Sequence, residues 1–374
     1  MNQTSKKRIL IVKPLMTNTR YHFGRTIALS KYFDVDWIIH HGHYGIIDTE
    51  KYNSVNHNIF LIGKKPKKNN FFYNNIWLIP FYTRVIKHLR KTKYDLVLVH
   101  LERFCFILPL FAPKNNFVLQ LFTAAVSGSN VKNTINNLEQ KFHILFFKNI
   151  LIGTEWMKEK FKLYKKNVIC PKWGHTPISH KLKYYNDIKL LYLGTLTNRN
   201  IHETIEGLGI YLKNHRVNCQ ITYDIIGSGK VECEERIRSA ISLYDLDNVV
   251  KLHGYLGDEQ IVDFFDNCNV GVAYIPITDY YTNVVASKLI EYLLSGMVTI
   301  ATETNENSKI VTCINGVLIK DNPVSFAKGL QEVYKKLNGW SSQKILNDAE
   351  KMSIEYNIEN EVVPSLKSIM QMST

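Results

Sequence analysis

Three glycine turns in the carboxy-terminal half carry the clearest chemical signal: Gly194-Thr195-Leu196, Gly227-Ser228-Gly229 and Gly254-Tyr255-Leu256. Each follows a short apolar run of strand character. Glycine at such a place lets backbone approach a ligand closely, and the next helix offers unpaired N–H groups to an anion. One such turn is weak evidence, since turns use glycine for their own geometry. Three in one half point to a nucleotide or another phosphorylated ligand. In the other half, His100 and Glu102 form an ionisable pair at the end of the run Asp95–His100. They could orient a substrate hydroxyl or take its proton, which requires hydrogen-bond reach. A histidine that merely caps a strand is the plainer reading. Two triplets, Asp34-Val35-Asp36 and Asp245-Leu246-Asp247, resemble metal ligands in type. Both precede strands, where caps and turns favour aspartate, so no metal is expected.

These residues need a sheet to hold them. Continuous apolar runs at Arg8–Lys13, Val35–His40, Asn58–Ile62, Asp95–His100, Phe117–Phe122, Asn149–Ile152 and Asn167–Cys170 alternate with helical stretches. The pattern recurs at Lys189–Leu193, Gln220–Ile226, Val249–Leu252, Asn269–Ile275, Met297–Ala301 and Gly316–Ile319. Such alternation predicts parallel sheets covered on both faces. With 374 residues the chain fits two α/β domains, both doubly wound. The proline-bearing stretch Pro171–Asp187 reads as the linker. The expected division is 1–180, 181–350 and a helical segment 351–374 that returns to the first domain.

Composition narrows the class. At 45% hydrophobic and 21% charged residues the chain is a folded one. Six scattered cysteines form neither a disulfide framework nor a zinc site, which suits a reducing cytoplasm. The amino terminus runs into an apolar strand without a secretory pattern, and no window is long enough to span a membrane. Charge is uneven: residues 1–180 hold 28 Lys and Arg against 9 Asp and Glu, whereas residues 181–374 hold 19 against 24.

The ordered fragments Leu190–Arg199, Tyr223–Lys230, Val250–Leu256, Val270–Pro276, Ala286–Thr302 and Ile314–Leu330 resemble the retaining glycosyltransferases of family 4. The resemblance is clearest between Asn149 and Leu330, especially to members that build bacterial surface polysaccharides, and its strongest part is Ser287-Lys288-Leu289-Ile290-Glu291-Tyr292. It implies the GT-B arrangement, two doubly wound Rossmann-like domains facing a central cleft. It also implies a nucleotide diphosphate sugar as donor and no cofactor. Lys288 and Arg199 would then meet the charge that grows on the leaving diphosphate, where fixed cations lower the barrier. Gly194, Thr195, Gly227, Gly229 and Tyr255 would line the donor site. Glu291, one helical turn beyond Lys288, would accept from ribose hydroxyls. Asn283 stands where the family carries a second glutamate, and Thr123 stands about where it carries a histidine.

The first half would hold the acceptor, a glycan or a lipid-linked sugar, with His100, Glu102 and Thr123 near it. Lys64, Lys65, Lys67 and Lys68 precede Trp77 in a basic, aromatic stretch, Leu61–Lys93. Such a stretch suits the anionic inner face of a membrane, although a solvated loop before a core helix explains it too. No nucleic-acid-binding motif accompanies the charge. The leading reading is hexosyl transfer with retention, metal-independent, in a cytoplasmic protein at the membrane face. A nucleotide-sugar epimerase of the same architecture and a non-catalytic binding module remain alternatives, and the oligomeric state is open.

Overall fold

A computed structural model describes residues 6–14, 20–40, 59–62, 77–125 and 130–372 of the chain. They divide into two units, residues 1–173 with 354–374, and residues 174–353.

In the first unit the strands are β1 (Arg8–Lys13), β2 (Asp34–His40), β3 (Ile59–Ile62), β4 (Leu96–His100), β5 (Phe117–Leu121), β6 (Asn149–Ile152) and β7 (Asn167–Ile169). They form one parallel sheet in the order β3-β2-β1-β4-β5-β6-β7. The helices are α1 (Arg20–Ser30), α2 (Leu78–Lys91), α3 (Ile107–Phe111), α4 (Asn130–Leu145) and α5 (Glu155–Phe161). Strand side chains such as Ile9, Leu10, Leu96 and Leu98 are fully buried, as runs covered on both faces must be.

The second unit repeats the plan. Strands β8 (Ile188–Leu193), β9 (Ile221–Ile226), β10 (Val250–Gly254), β11 (Val270–Ala273), β12 (Val298–Thr302) and β13 (Gly316–Ile319) run parallel in the order β10-β9-β8-β11-β12-β13. Its helices are α6 (His202–Asn214), α7 (Val231–Leu243), α8 (Gln260–Asn267), α9 (Ser287–Leu294), α10 (Pro323–Lys335) and α11 (Ser342–Ala349). Asn322 caps α10 by accepting from the Ser325 N–H, and Pro323 follows at the first helical position, where a missing N–H is harmless. The chain then passes through α12 (Ile354–Asn357), a π-helical turn and α13 (Val363–Gln371). Ile354, Ile358, Val362 and Leu366 from this segment join Ile9, Trp37 and Leu98 in the first unit's core.

The stretch expected to be a linker lacks helix or strand, as its prolines demand, yet residues 174–187 are not a free tether. Ser179 Oγ donates to Asp266 at 2.5 Å, Tyr185 donates to the Gly296 carbonyl at 2.8 Å, and Asn269 Nδ2 donates to the Tyr184 and Asp187 carbonyls. Side-chain hydrogen bonds satisfy backbone that has no ladder to join.

In both sheets the chain order reverses beside the first strand, between β1 and β4 and between β8 and β11. Open parallel sheets present a crevice at that point, beyond the carboxyl ends of the strands. The second unit's candidate site lies there, and the first unit's cavity lies one strand along the same edge of its own sheet, beyond β4 and β5.

Candidate functional site

In the second unit the site grows from a stack of glycines. Gly194 ends β8 at φ +144°, Gly227 ends β9 at φ +143° and Gly254 ends β10 at φ +73°, values L side chains rarely adopt. Gly194 N–H donates to the Ile226 carbonyl and Gly227 N–H to the Gly254 carbonyl, at 3.0 and 2.8 Å, which links the three turns in register. A Cβ at Gly227 would fall 1.8 Å from the Gly194 oxygen. One at Gly229 would fall 2.8 Å from Leu196 Cβ, and one at Gly194 would fall 2.9 Å from Lys288 Nζ. The first turn therefore sits directly against the lysine.

Helix α9 delivers that lysine. Its inner face, Leu289, Ile290, Tyr292 and Leu293, is buried, and it packs on β11 and β12. Gly271 in β11 makes room for it, since a Cβ there would meet the Tyr292 ring at 2.2 Å. The Tyr292 hydroxyl accepts from the Leu193 N–H at 2.8 Å and pins the helix to the end of β8. Lys288 Nζ then lies 3.6 Å from the centre of the Tyr192 ring, a cation–π contact. Burial, the nearby Arg199 charge and, in opposition, Glu291 hold its ammonium well below the usual lysine range. The first turn of α9 carries no capping side chain, because Ala286 occupies the N-cap.

Arg199 arrives from the loop after β8, flanked by Asn198 and Asn200 in the left-handed region at φ 56° and 52°. Asparagine tolerates that conformation better than most residues. The guanidinium stacks 4.4 Å from the centre of the Tyr281 ring and donates to its hydroxyl. Tyr281 begins a single 3-10 turn after β11, which also holds Asn283. The Asn283 amide donates to the Asp279 carbonyl and accepts from Asn305 Nδ2, at 2.8 and 3.0 Å. Glu291 lies 3.4 Å from His175 Nδ1, with His175 itself buried. Thr195 is exposed, its carbonyl accepting from Tyr192, and Tyr255 is 80% exposed. Lys288, Arg199, Gly194, Gly227, Gly229 and Glu291 thus share one edge with Tyr192, Tyr281 and His175. Sequence reading had not singled out these last three.

The first unit has its own feature at the equivalent edge, a cavity of about 420 Å³ beyond β4 and β5. Trp77, Glu102, Arg103, Thr123, Glu139 and His143 are among its lining. Burial lifts the Glu102 carboxyl to about 6, with the Lys13 and Arg103 charges opposing. Burial likewise lowers the Lys13 ammonium, at the end of β1, to about 7, and Glu102 opposes that shift. Arg103 grips Glu139 with two hydrogen bonds of 2.6 and 2.9 Å, which holds the Glu139 carboxyl below its ordinary value. His143, stacked on Phe106, is also lowered by burial. His100 is not part of the lining; its ring packs edge-on to Phe122 at 5.9 Å.

Trp77 is 6% exposed, its ring 4.3 Å from that of His40. It faces inward rather than serving as a surface anchor. Lys64, Lys65, Lys67 and Lys68 lie outside the described residues, as do the side chains of Arg20–Phe23. The aspartate triplets have structural work: Asp36 accepts from Arg8 and from Tyr94 at 2.8 Å, and Asp245 turns the chain after α7 at φ 53°. Among the described residues no three His, Cys, Asp or Glu side chains gather as metal ligands, and no helix is long and apolar enough to cross a membrane.

Residues 187–336 match the family model described as glycosyl transferases group 1. No curated protein matches the sequence. Among solved structures, the Anabaena protein HepE in complex with UDP and glucose is 13% identical, with a TM-score of 0.70 over 98% of this chain and 99% of that one. Sucrose-phosphate synthase from Thermosynechococcus elongatus is 13% identical, with a TM-score of 0.67 over 98% and 99%. The lipopolysaccharide outer core galactosyltransferase WaaB, in its apo form, is 13% identical, with a TM-score of 0.66 over 96% and 99%. At such identities the likeness establishes the fold, and that fold is GT-B.

Proposed function

We propose, from a GT-B fold whose second domain matches the group 1 glycosyl transferases, that this chain moves a hexosyl unit from a nucleotide diphosphate sugar to an acceptor. The observation that carries the reading is Lys288, half-buried, its ammonium depressed, and seated against the Gly194 turn at the β8–β11 switch point. An ammonium in that state gains most from a ligand that brings negative charge. The diphosphate lies along the Gly194 and Gly227 turns, with the uncapped start of α9 adding N–H donors. Lys288 and Arg199 stabilise the charge that builds as the glycosidic C–O bond breaks. Tyr281 keeps the guanidinium extended over the site. Glu291, steadied by His175, accepts from the ribose hydroxyls.

The acceptor's reacting sugar occupies the first-unit cavity. There Glu102, poised near neutrality, holds or takes the proton of the attacking hydroxyl. Departure and attack occur on one face of the sugar, so configuration is retained and no protein nucleophile is needed. Neither a metal nor a cofactor takes part. UDP and UDP-glucose, which HepE holds in its complexes, are the first donors to test. The likeness to WaaB, a lipopolysaccharide outer core galactosyltransferase, makes a cell-surface glycan the first acceptor to test, and a lipid-linked sugar the second.

The test is a thermal-shift panel of sugar nucleotides followed by turnover with an acceptor extract. A donor at about 100 times its Kd should add about 2.7 kcal/mol to the folded state. Folded Lys288→Ala and Glu291→Ala variants should each lose most turnover. Wild-type turnover in either discards its role, and conversion of the donor without acceptor would make the protein an epimerase.

A further inference from the structure

Helix α4 carries a long apolar stripe on its outer face. Val131, Ile135, Leu138, Phe142 and Leu145 are 69, 59, 59, 47 and 68% exposed. Their spacing of four, three, four and three residues sets all five along one stripe. The opposite face is mixed: Asn137 accepts from the Ala125 N–H, Asn136, Glu139, Gln140 and His143 line the cavity, and Ile144 is buried. The usual arrangement puts the apolar stripe on the core. Here the stripe is outside because the inner face is committed to the cavity.

We propose that α4 is an interfacial helix whose outer stripe lies on an anionic lipid surface. The five side chains expose on the order of 500 Å², at the upper end of what a monomer leaves uncovered. A second copy of the chain is a poorer occupant on two counts. The stripe falls short of the roughly 800 Å² per partner that a stable interface buries. In addition, the first unit carries 29 Lys and Arg against 12 Asp and Glu, so two copies meeting there would repel. The same excess favours anionic headgroups, and the second unit, with 18 against 21, lacks it. Lys132 and Lys141 sit on α4 itself, whereas its one acid, Glu139, is engaged by Arg103. One helix then meets the bilayer with its outer face while its inner face walls the cavity. This goes beyond the transfer reading, and its test does not use transfer.

The test is flotation of the full chain with phosphatidylcholine vesicles, with and without phosphatidylglycerol. Wild type should float with the anionic vesicles only, and less so in high salt. The variant Ile135→Gln/Leu138→Gln/Leu145→Gln should partition at least about ten-fold less, with unchanged circular dichroism and melting temperature. Leu145→Gln alone, in the last turn, should move the same way, which covers any folding defect in the triple variant. Wild-type indifference to anionic vesicles, or equal flotation of the variants, overturns the proposal. A wild-type dimer by light scattering that the triple variant splits also overturns it and makes a second copy the occupant.

Discussion

The two candidate sites of this molecule are built by different means. In the second unit the site is made of backbone: three positive-φ glycines in register, with an ammonium set against one of them. In the first unit the corresponding place is a cavity walled by side chains from separate elements, among them Glu102, Arg103, Glu139 and His143. Backbone turns locked in register can barely change without losing their geometry. A cavity of side chains can be re-lined for a different hydroxyl-bearing partner. The contrast teaches where recognition is constant and where it is adjustable.

Gly227→Ala should break the comparison most severely. Its new methyl would fall 1.8 Å from the Gly194 oxygen in a conformation alanine resists, so about 3–5 kcal/mol of stability should be lost in denaturant unfolding. Thr123→Ala, at the first-unit cavity, should cost under about 0.5 kcal/mol, since Thr123 is exposed. Equal losses at both positions would erase the distinction.

Arg199→Ala comes next. It removes a cation stacked on Tyr281, and turnover should fall about 100-fold with little change in stability. Tyr281→Phe keeps the stack and loses only the hydrogen bond, so it should fall by about ten-fold or less. A reversed order would mean that the hydroxyl, not the guanidinium, does the work.

The smallest effect sharpens the other side. Burial raises Glu102 from 4.5 to about 6, so folding favours its protonated form. That contribution is complete below pH 4.5 and is lost as pH rises through about 6. Glu102→Gln should therefore leave stability unchanged near pH 4 and raise it at pH 8 by up to about 2 kcal/mol. It should also flatten an acid limb of the turnover profile centred near pH 6. A pH-independent difference would place Glu102 in a role unrelated to its ionisation.

The same contrast explains what could be read in advance. Strands such as Arg8–Lys13, Asn149–Ile152 and Gly316–Ile319 are visible as unbroken apolar runs, because burial on both faces leaves no polar alternation to confuse them. Gly194 draws notice as a glycine directly after an apolar run, whereas Lys288 and Glu291 stand out only through the likeness of Ser287–Tyr292 to a family motif. Arg103 and Glu139 lie 36 residues apart, and no local pattern announces that they meet. Lys13 ends the first strand at a sheet's carboxyl edge, but a lone lysine after an apolar run carries no local sign that it is buried. Trp77 misled because a lysine-rich neighbourhood says nothing about which way a ring turns. Tyr281 and His175 act through contacts with distant segments, for which one sequence holds no sign.

The central claim is that Lys288 receives the donor's diphosphate, and calorimetric titration of a sugar nucleotide, repeated as pH is raised, tests it most directly. Because its ammonium is depressed in the free protein, an arriving diphosphate should draw a proton onto it, and two buffers of different ionisation enthalpy will report that uptake. The account predicts uptake in the wild type, and in Lys288→Ala an affinity about 100-fold lower with no uptake. Equal affinity and equal proton exchange in the two proteins would contradict it.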